Sequence, residues 1–296
     1  MSESLHPVSI GLPVYNGERY LPNAIEALLA QTFPDFELIL CDNASTDATE
    51  QICRSYVARD GRVRYVRNAK NLGISLNFRR AFELARGRYF KWACYDDLCA
   101  PEFLKRCVEV LDRDPSVVLA YPKTKLIDDN GDFVSEYQDH LHLPFASPFD
   151  RFKEIFERMG LCNPVYGLIR SDALKQTNLF GNFIANDNPL LVELTLYGKF
   201  CEVPEFLFYR RFHKASSSEF QNANQLLSYL GAGGKRRIAM TKWRHLWENF
   251  RAVVRAPLGL SEKRRLYLHL VRRGVWNRQK LMSELTAAAE QLIRHR

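Results

Sequence analysis

The chain has no run of about 18 consecutive apolar residues, which excludes a conventional membrane-spanning helix. Its 7 cysteines, Cys41, Cys53, Cys94, Cys99, Cys107, Cys162 and Cys201, are odd in number and form no Cys-x-x-Cys pair. Neither a disulfide framework nor a zinc site is indicated, and the thiols read as small core residues. There is no G-x-G-x-x-G and no G-x-x-x-x-G-K-[ST], so the usual dinucleotide and P-loop modes of phosphate binding are unsupported. The amino terminus lacks the charged-then-apolar layout of a signal peptide, so a cytoplasmic protein is expected, with attachment to the inner face of the membrane as a variant. Acidic residues are scarce at one end only. Residues 235–296 hold 4 Asp/Glu against 16 Lys/Arg, a net charge of +12, whereas residues 1–234 carry −4 within the overall +8.

What is present fits a globular chain: 46% of the 296 residues are hydrophobic, enough for a sizeable core. Tyr89-Phe90-Lys91-Trp92-Ala93 is strand-like and runs through Cys94-Tyr95 into two adjacent carboxylates, Asp96 and Asp97, before a helix is expected to begin at Pro101. Two carboxylates at the end of a strand suit a hard divalent cation, which takes oxygen ligands and commonly shares them with substrate phosphates. Upstream, Val8–Tyr15 reads as a buried strand, and Leu21, Ala24, Ile25, Leu28 and Leu29 recur at helical spacing. Phe36–Cys41 is a second strand ending at Asp42-Asn43. A helix through Ile52, Tyr56 and Val57 follows, capped from Ser45-Thr46-Asp47. Val63–Val66 is a third strand, and Asn71-Leu72-Gly73 is a turn before a helix through Leu76, Ala81, Phe82 and Ala85.

This alternation predicts an α/β fold, a mostly parallel sheet with helices on both faces. Such sheets bind ligands beyond the carboxyl ends of their strands, so Asp42, Asn71, Asp96 and Asp97 should converge. Further along, Phe103–Leu111 reads as a helix and Val117–Tyr121 as a strand. Asp129-Asn130-Gly131-Asp132 reads as a hairpin turn. Asn163–Ile169 and Pro204–Arg211 read as strands, Gly181–Asn188 as a loop and Pro189–Tyr197 as a helix.

Four elements taken together, Leu-Pro-Val-Tyr-Asn at 12–16, Asp-Asn-Ala-Ser-Thr-Asp at 42–47, Asn-Leu-Gly at 71–73 and Tyr-Asp-Asp at 95–97, resemble the family 2 nucleotide-sugar glycosyltransferases of the GT-A, Rossmann-like fold. The resemblance covers residues 8–215, and implies a catalytic domain over 1–220 followed by a basic helical extension over 221–296. By resemblance, Pro13, Val14 and Tyr15 line a base pocket, and Asp42 accepts from a uracil N3–H, as an acceptor-only carboxylate can. Asn71 and Gly73 then lie by the ribose, Asp96 contacts the ribose side, and Asp97 ligates Mn²⁺ or Mg²⁺. Cys94 stands where the family often has another aspartate. The resemblance further implies an inverting, direct displacement from a nucleoside-diphosphate sugar, UDP-linked by preference, onto a glycan or lipid-linked acceptor in surface polysaccharide synthesis. Asp187, with Asn186 where a glutamate is common, holds the place of the general base. Arg210-Arg211-Phe212-His213 resembles the family's Arg-x-His element, with His213 a metal or diphosphate ligand, and Arg210 and Arg211 are expected to pair either with the diphosphate or with acidic neighbours. Ser216–Ser218 suggests a loop that closes over the donor.

Two other readings compete, a nucleotidyltransferase of related architecture and a catalytically silent nucleotide-sugar-binding scaffold. The extension interleaves Trp243, Leu246, Trp247, Phe250 and Val254, then Leu266, Leu270, Trp276, Leu281, Leu285 and Leu292, with Lys and Arg. That pattern describes either a helix lying on an anionic membrane or an apolar stripe packed on the domain or in a homo-oligomer. No nucleic-acid module accompanies the charge, so nucleic acid is not an expected partner.

Overall fold

A computed structural model describes residues 6–213 and 240–293. The Ser216–Ser218 loop and the glycine-rich break at 231–234 lie outside the described residues, as does the side chain of Leu292.

The first half is built as its apolar runs dictate. Strands β1 (Val8–Val14) and β2 (Phe36–Asp42) are buried along their whole length, the signature of strands covered on both faces. They pair in parallel with Val8 opposite Phe36 and Val14 opposite Asp42. Strand β3 (Val63–Arg67) adds in parallel outside β2, and β4 (Tyr89–Trp92) outside β1. Helical crossovers through α1 (Leu21–Leu29), α2 (Thr49–Arg59) and α3 (Ile74–Glu83) connect them, as parallel pairing requires. Register therefore brings Val14, Asp42 and Arg67 level at one edge.

The second half is mixed. After the two-residue strand β5 (Leu98–Cys99) and helix α4 (Phe103–Arg113), β6 (Val117–Ile127) turns back through Asp128–Asp132 into β7 (Phe133–Tyr137). Helix α5 (Pro148–Arg158), strand β8 (Leu168–Arg170), the short α6 (Ser171–Lys175), α7 (Asp187–Leu194) and β9 (Lys199–Arg211) follow. The sheet order is β3-β2-β1-β4-β8-β6-β9-β5, with β7 beside β6. Strands β6 and β9 are parallel, while β8 is antiparallel to both β4 and β6.

Several expected boundaries move. Asn163–Tyr166 is a 3₁₀ turn, and the strand begins only at Leu168. Pro164 has no N–H to give a ladder, which explains why the strand does not start earlier. Helix α7 starts at Asp187 and tolerates Pro189 because the first helical N–H groups need no carbonyl within the helix. Strand β9 starts at Lys199, and its exposed Pro204 falls where the register to β6 slips between Val203 and Phe206.

Two cores sandwich the sheet. One packs α1, α2 and α4 against it. The other gathers Phe78, Phe90, Trp92, Phe152, Ile155, Leu190 and Leu191 with residues of the extension, whose described helices are α8 (Thr241–Arg255), α9 (Leu260–Trp276) and α10 (Arg278–Ile293). Ala252, Val253, Ala256, Leu266 and Leu270 are within this second core. Among the described residues no helix is long and apolar enough to cross a membrane.

A buried ion pair fastens α8 to α7. Arg255 donates from Nε and Nη2 to the two carboxylate oxygens of Glu193 at 2.7 and 2.9 Å, and the Asn178 N–H donates to Oε2 at 3.1 Å. The Glu193 side chain is only 3% exposed, so removing its partner strands a buried charge. Arg255→Met is expected to cost about 3 kcal/mol in denaturant unfolding, with much of it recovered in Glu193→Gln/Arg255→Met. Equal stability of Arg255→Met and wild type would show that the pair does not hold the extension.

Candidate active site

Strand β4 delivers Cys94-Tyr95-Asp96-Asp97 to the carboxyl edge of the sheet, beside the end of β1. Gly17 is required there, since a Cβ would stand 2.6 Å from Val14 Cγ2 and 3.0 Å from the Tyr95 ring. Cys94 Sγ and one carboxylate oxygen from each of Asp96 and Asp97 all lie within 4.8 Å of one another. Burial, and then the charge of Asp96, push the Asp97 carboxyl up to about 7. Burial also pushes the Cys94 thiol up, so it contributes as a neutral group.

The far side of this cluster comes from the last strand. Strand β5 pairs antiparallel with β9, Leu98 opposite Tyr209 and Cys99 opposite Phe208, which lays Arg210–His213 along the acidic turn. The Arg211 N–H donates to Asp97 Oδ1 at 2.9 Å, and His213 Nε2 lies 2.9 Å from Asp96 Oδ2. His213 also packs on Tyr20, ring centroids 4.9 Å apart. The residues present fit a divalent cation: the Asp96 and Asp97 carboxylates converge, the His213 imidazole lies against Asp96, and Asp97 keeps a second oxygen clear of its Arg211 bond.

The two arginines do different work. Arg211, expected at the diphosphate or beside acidic neighbours, donates Nε to the Asp96 carbonyl at 2.8 Å and Nη1 to the carbonyls of Asp128 and Asp129. Its guanidinium lies over Tyr20, whose hydroxyl donates to Asp129. Arg211 thus clamps the β6–β7 turn to the acidic turn through three backbone carbonyls. Arg210 points the other way. Its Nη1 donates to the Leu161 carbonyl at 2.7 Å and to Asn163 Oδ1 at 2.6 Å, and its charge acts on both Asp97 and Asp187.

Asp187 opens α7, and its Oδ1 accepts the Asn188 N–H at 3.0 Å. Burial raises its carboxyl above the ordinary range, opposed in part by Arg210. Asn186 is a pin, donating to Ser75 Oγ at 2.7 Å and to the Gly181 carbonyl at 2.6 Å. It holds the loop before α7 against the start of α3.

The expected nucleotide residues line the other end of the edge. Pro13 and Val14 are buried, and Tyr15 is 43% exposed just past the end of β1. Asp42 sits at its strand end but is fully buried. Its Oδ1 accepts the Ser45 N–H at 2.8 Å, and its Oδ2 accepts the Tyr65 hydroxyl at 2.7 Å and lies 3.3 Å from Arg67 Nε. Asp42 is thus enclosed by three donors and has no exposed surface. Asn71 Oδ1 accepts from Asn43 Nδ2 and from the Gly73 N–H, both at 2.8 Å, and Gly73 turns into α3 with φ of 84°.

Sequence reasoning missed the supporting layer. Asn43, Asn68 and Asn77 form a buried network, with Asn68 Nδ2 donating to Asn43 Oδ1 and Asn77 Oδ1. Behind Arg210, Asn163 Nδ2 donates to Asp139 Oδ2 at 3.1 Å, and burial pushes the Asp139 carboxyl up to about 6. Asn43 and Asn68 immediately follow strands and could have been singled out from that position; Asp139 and Asn163 carry no such mark.

Residues 9–177 match the model of the family described as Glycosyl transferase family 2. The chain belongs to that family. This family 2 glycosyltransferase is 28% identical over 236 residues to the chondroitin synthase of Escherichia coli, an alignment covering 76% of this chain and 33% of that protein. The chain thus spans only part of the length of the curated relatives it matches. Its fold is that of S. aureus TarS 1-349 in complex with UDP-GlcNAc, at a TM-score of 0.65 and 19% identity over 90% of this chain and 72% of that one. The mannosyltransferase PcManGT from Pyrobaculum calidifontis, in complex with GDP-Man and Mn²⁺, aligns at a TM-score of 0.54 and 15% identity, over 98% and 87% of the two chains. The GT-A architecture expected for this chain is the one it has.

Proposed function

We propose that the protein is a metal-dependent, inverting transferase that moves a sugar from a nucleoside-diphosphate sugar, UDP-linked by preference, to a hydroxyl of a glycan or lipid-linked acceptor in surface polysaccharide assembly on the cytoplasmic side of the membrane. The observation that carries this reading is the meeting of Asp96 and Asp97 with Arg210, His213 and Asp187, drawn from three separate parts of the chain. UDP-GlcNAc in the TarS complex and GDP-Man with Mn²⁺ in the mannosyltransferase complex support a nucleotide-sugar donor and a divalent cation.

In this reading Tyr15 offers an aromatic face to the base, and the Asn71–Gly73 turn borders the ribose. Asp96, Asp97 and His213 would hold Mn²⁺ or Mg²⁺. The bound cation supplies Lewis-acid stabilisation of the charge that develops on the leaving diphosphate. Asp187 accepts the proton of the acceptor hydroxyl as its oxygen bonds to the anomeric carbon. The bond from that carbon to the diphosphate oxygen breaks, and its electron pair leaves with the nucleoside diphosphate. Arg210 shares its charge between Asp97 and Asp187, keeping the Asp187 carboxylate available while the leaving group departs.

Thermal melts with UDP, GDP, dTDP, CDP or ADP, each with Mn²⁺, Mg²⁺ or EDTA, test the donor half. At a hundred times its dissociation constant a ligand adds about 2.7 kcal/mol to the folded state, a shift of several degrees. UDP is expected to stabilise with metal and far less with EDTA. A shift from GDP alone moves the donor to another base, and no shift from any nucleotide under any metal condition removes the reading in favour of a silent scaffold.

A further inference from the structure

The extension carries two apolar faces, and packing explains one of them. On α9, Leu266 and Leu270 are buried in the second core beside α5 and α7. Leu268, Val271 and Val275 recur at the spacing of a second stripe, and these three are about half exposed, with Trp276 at 70%. Helix α8 repeats the arrangement. Ala252 and Val253 face inward, while Trp247 and Val254, seven residues apart and so on one face, are 58% and 63% exposed.

Arginines and lysines flank both outward stripes. Arg244 and Arg251 are exposed on α8, and Arg264, Arg265 and Arg272 on α9. On α9 the sole acidic residue, Glu262, is taken up by the Phe149 N–H and by Arg265. A helix that served only to brace the catalytic domain would need one stripe. The second stripe, with tryptophans and bordered by cations, has the composition of a helix lying in the headgroup layer, where tryptophan is favoured and anionic lipid attracts Lys and Arg.

We propose that the outward faces of α8 and α9 seat the protein on an anionic lipid surface, with Leu268, Val271, Val275 and Trp276 entering the interface and Arg264 and Arg272 meeting lipid phosphates. The occupant follows from charge: residues 235–296 carry +12, whereas a nucleic acid would have no use for the apolar residues between the arginines. The inference stands apart from the sugar-transfer reading, since it uses none of the residues placed in that site.

Co-sedimentation of the full chain with phosphatidylglycerol-containing vesicles and with pure phosphatidylcholine vesicles tests it. Wild type is expected to bind the anionic vesicles at low salt and to lose most of that binding at high salt. Val271→Glu/Val275→Glu, at exposed positions, is expected to melt like wild type and to bind at least about tenfold more weakly. Arg264→Gln/Arg272→Gln is expected to weaken binding to anionic vesicles several-fold. Failure of wild type to bind anionic vesicles overturns the proposal, as does equal binding by the Val→Glu variant. So does a wild-type dimer in sedimentation velocity that the Val→Glu variant loses without any vesicle binding by wild type, which would assign the face to a second copy.

Discussion

Asp187→Asn is expected to lower turnover with the true acceptor by about 10²–10⁴-fold while leaving nucleotide binding close to wild type. The carboxylate opens a helix, partly buried, with one oxygen engaged by its own helix N–H at 3.0 Å and the other left for an incoming hydroxyl. Asparagine preserves the shape and the acceptor oxygen but cannot take a proton. Burial raises the carboxyl, so it is a better base near neutrality than an exposed aspartate would be, and the acid limb of the turnover profile should lie above the ordinary carboxylate range. Near-normal turnover in the variant, measured with donor and acceptor both saturating, would remove Asp187 from the mechanism.

The second large effect runs against intuition. Asp97→Asn is expected to stabilise the metal-free protein while destroying its response to metal. The Asp97 carboxyl moves from 3.8 to about 7, because it is buried and faces Asp96. Such a rise penalises the charged form by roughly 4 kcal/mol at most, since each decade costs about 1.4 kcal/mol. Between about pH 4 and about pH 7 the folded chain holds a proton that the unfolded chain has released, so stability falls as pH rises through that window. Above it the penalty is present in full.

Asparagine can keep the Arg211 N–H bond without the charge and is expected to gain about 2 kcal/mol in EDTA at pH 8, and nothing below pH 4. In Mn²⁺ the order should reverse, because wild type gains a ligand and the variant does not. Melting both proteins across pH, in EDTA and in Mn²⁺, decides it. If the variant melts below wild type in EDTA at pH 8, the two carboxylates are not in conflict.

Asp96 and Asp97 follow an apolar strand, so local periodicity alone places their backbone. Asp187 falls in the expected Gly181–Asn188 loop and is singled out only by the family resemblance, whereas the fold starts a helix at it. Arg211 shows where such reading stops. Its side chain could reach a diphosphate or a carbonyl, and which one it meets depends on the pairing of Leu98–Cys99 with Phe208–Tyr209. A two-residue strand has no periodicity to detect, and its partner lies more than a hundred residues away. The same holds for Asp139 and Asn163, which matter because β6, β7 and the 3₁₀ turn meet around Arg210. In the extension the apolar spacing is legible, but spacing alone does not say which stripe turns inward. Docking of α8 on α7 through Glu193 and Arg255 settles that for the described helices.

The small strand β5 has a consequence for how the protein comes into being. A chain emerging from the ribosome can pair β2 with β1 and β3 with β2 early, and add β4 beside β1 once residue 92 is made, and so shape the end of the sheet where Tyr15 and Asn71 lie. The acidic turn has no such local partner. Until β9 arrives to pair with β5, Asp97 lacks the Arg211 N–H and Asp96 lacks His213. Long-range pairing of this kind closes late in folding. The edge proposed for the nucleotide is therefore built first, and the edge proposed for a cation ripens only when the chain has been made as far as β9.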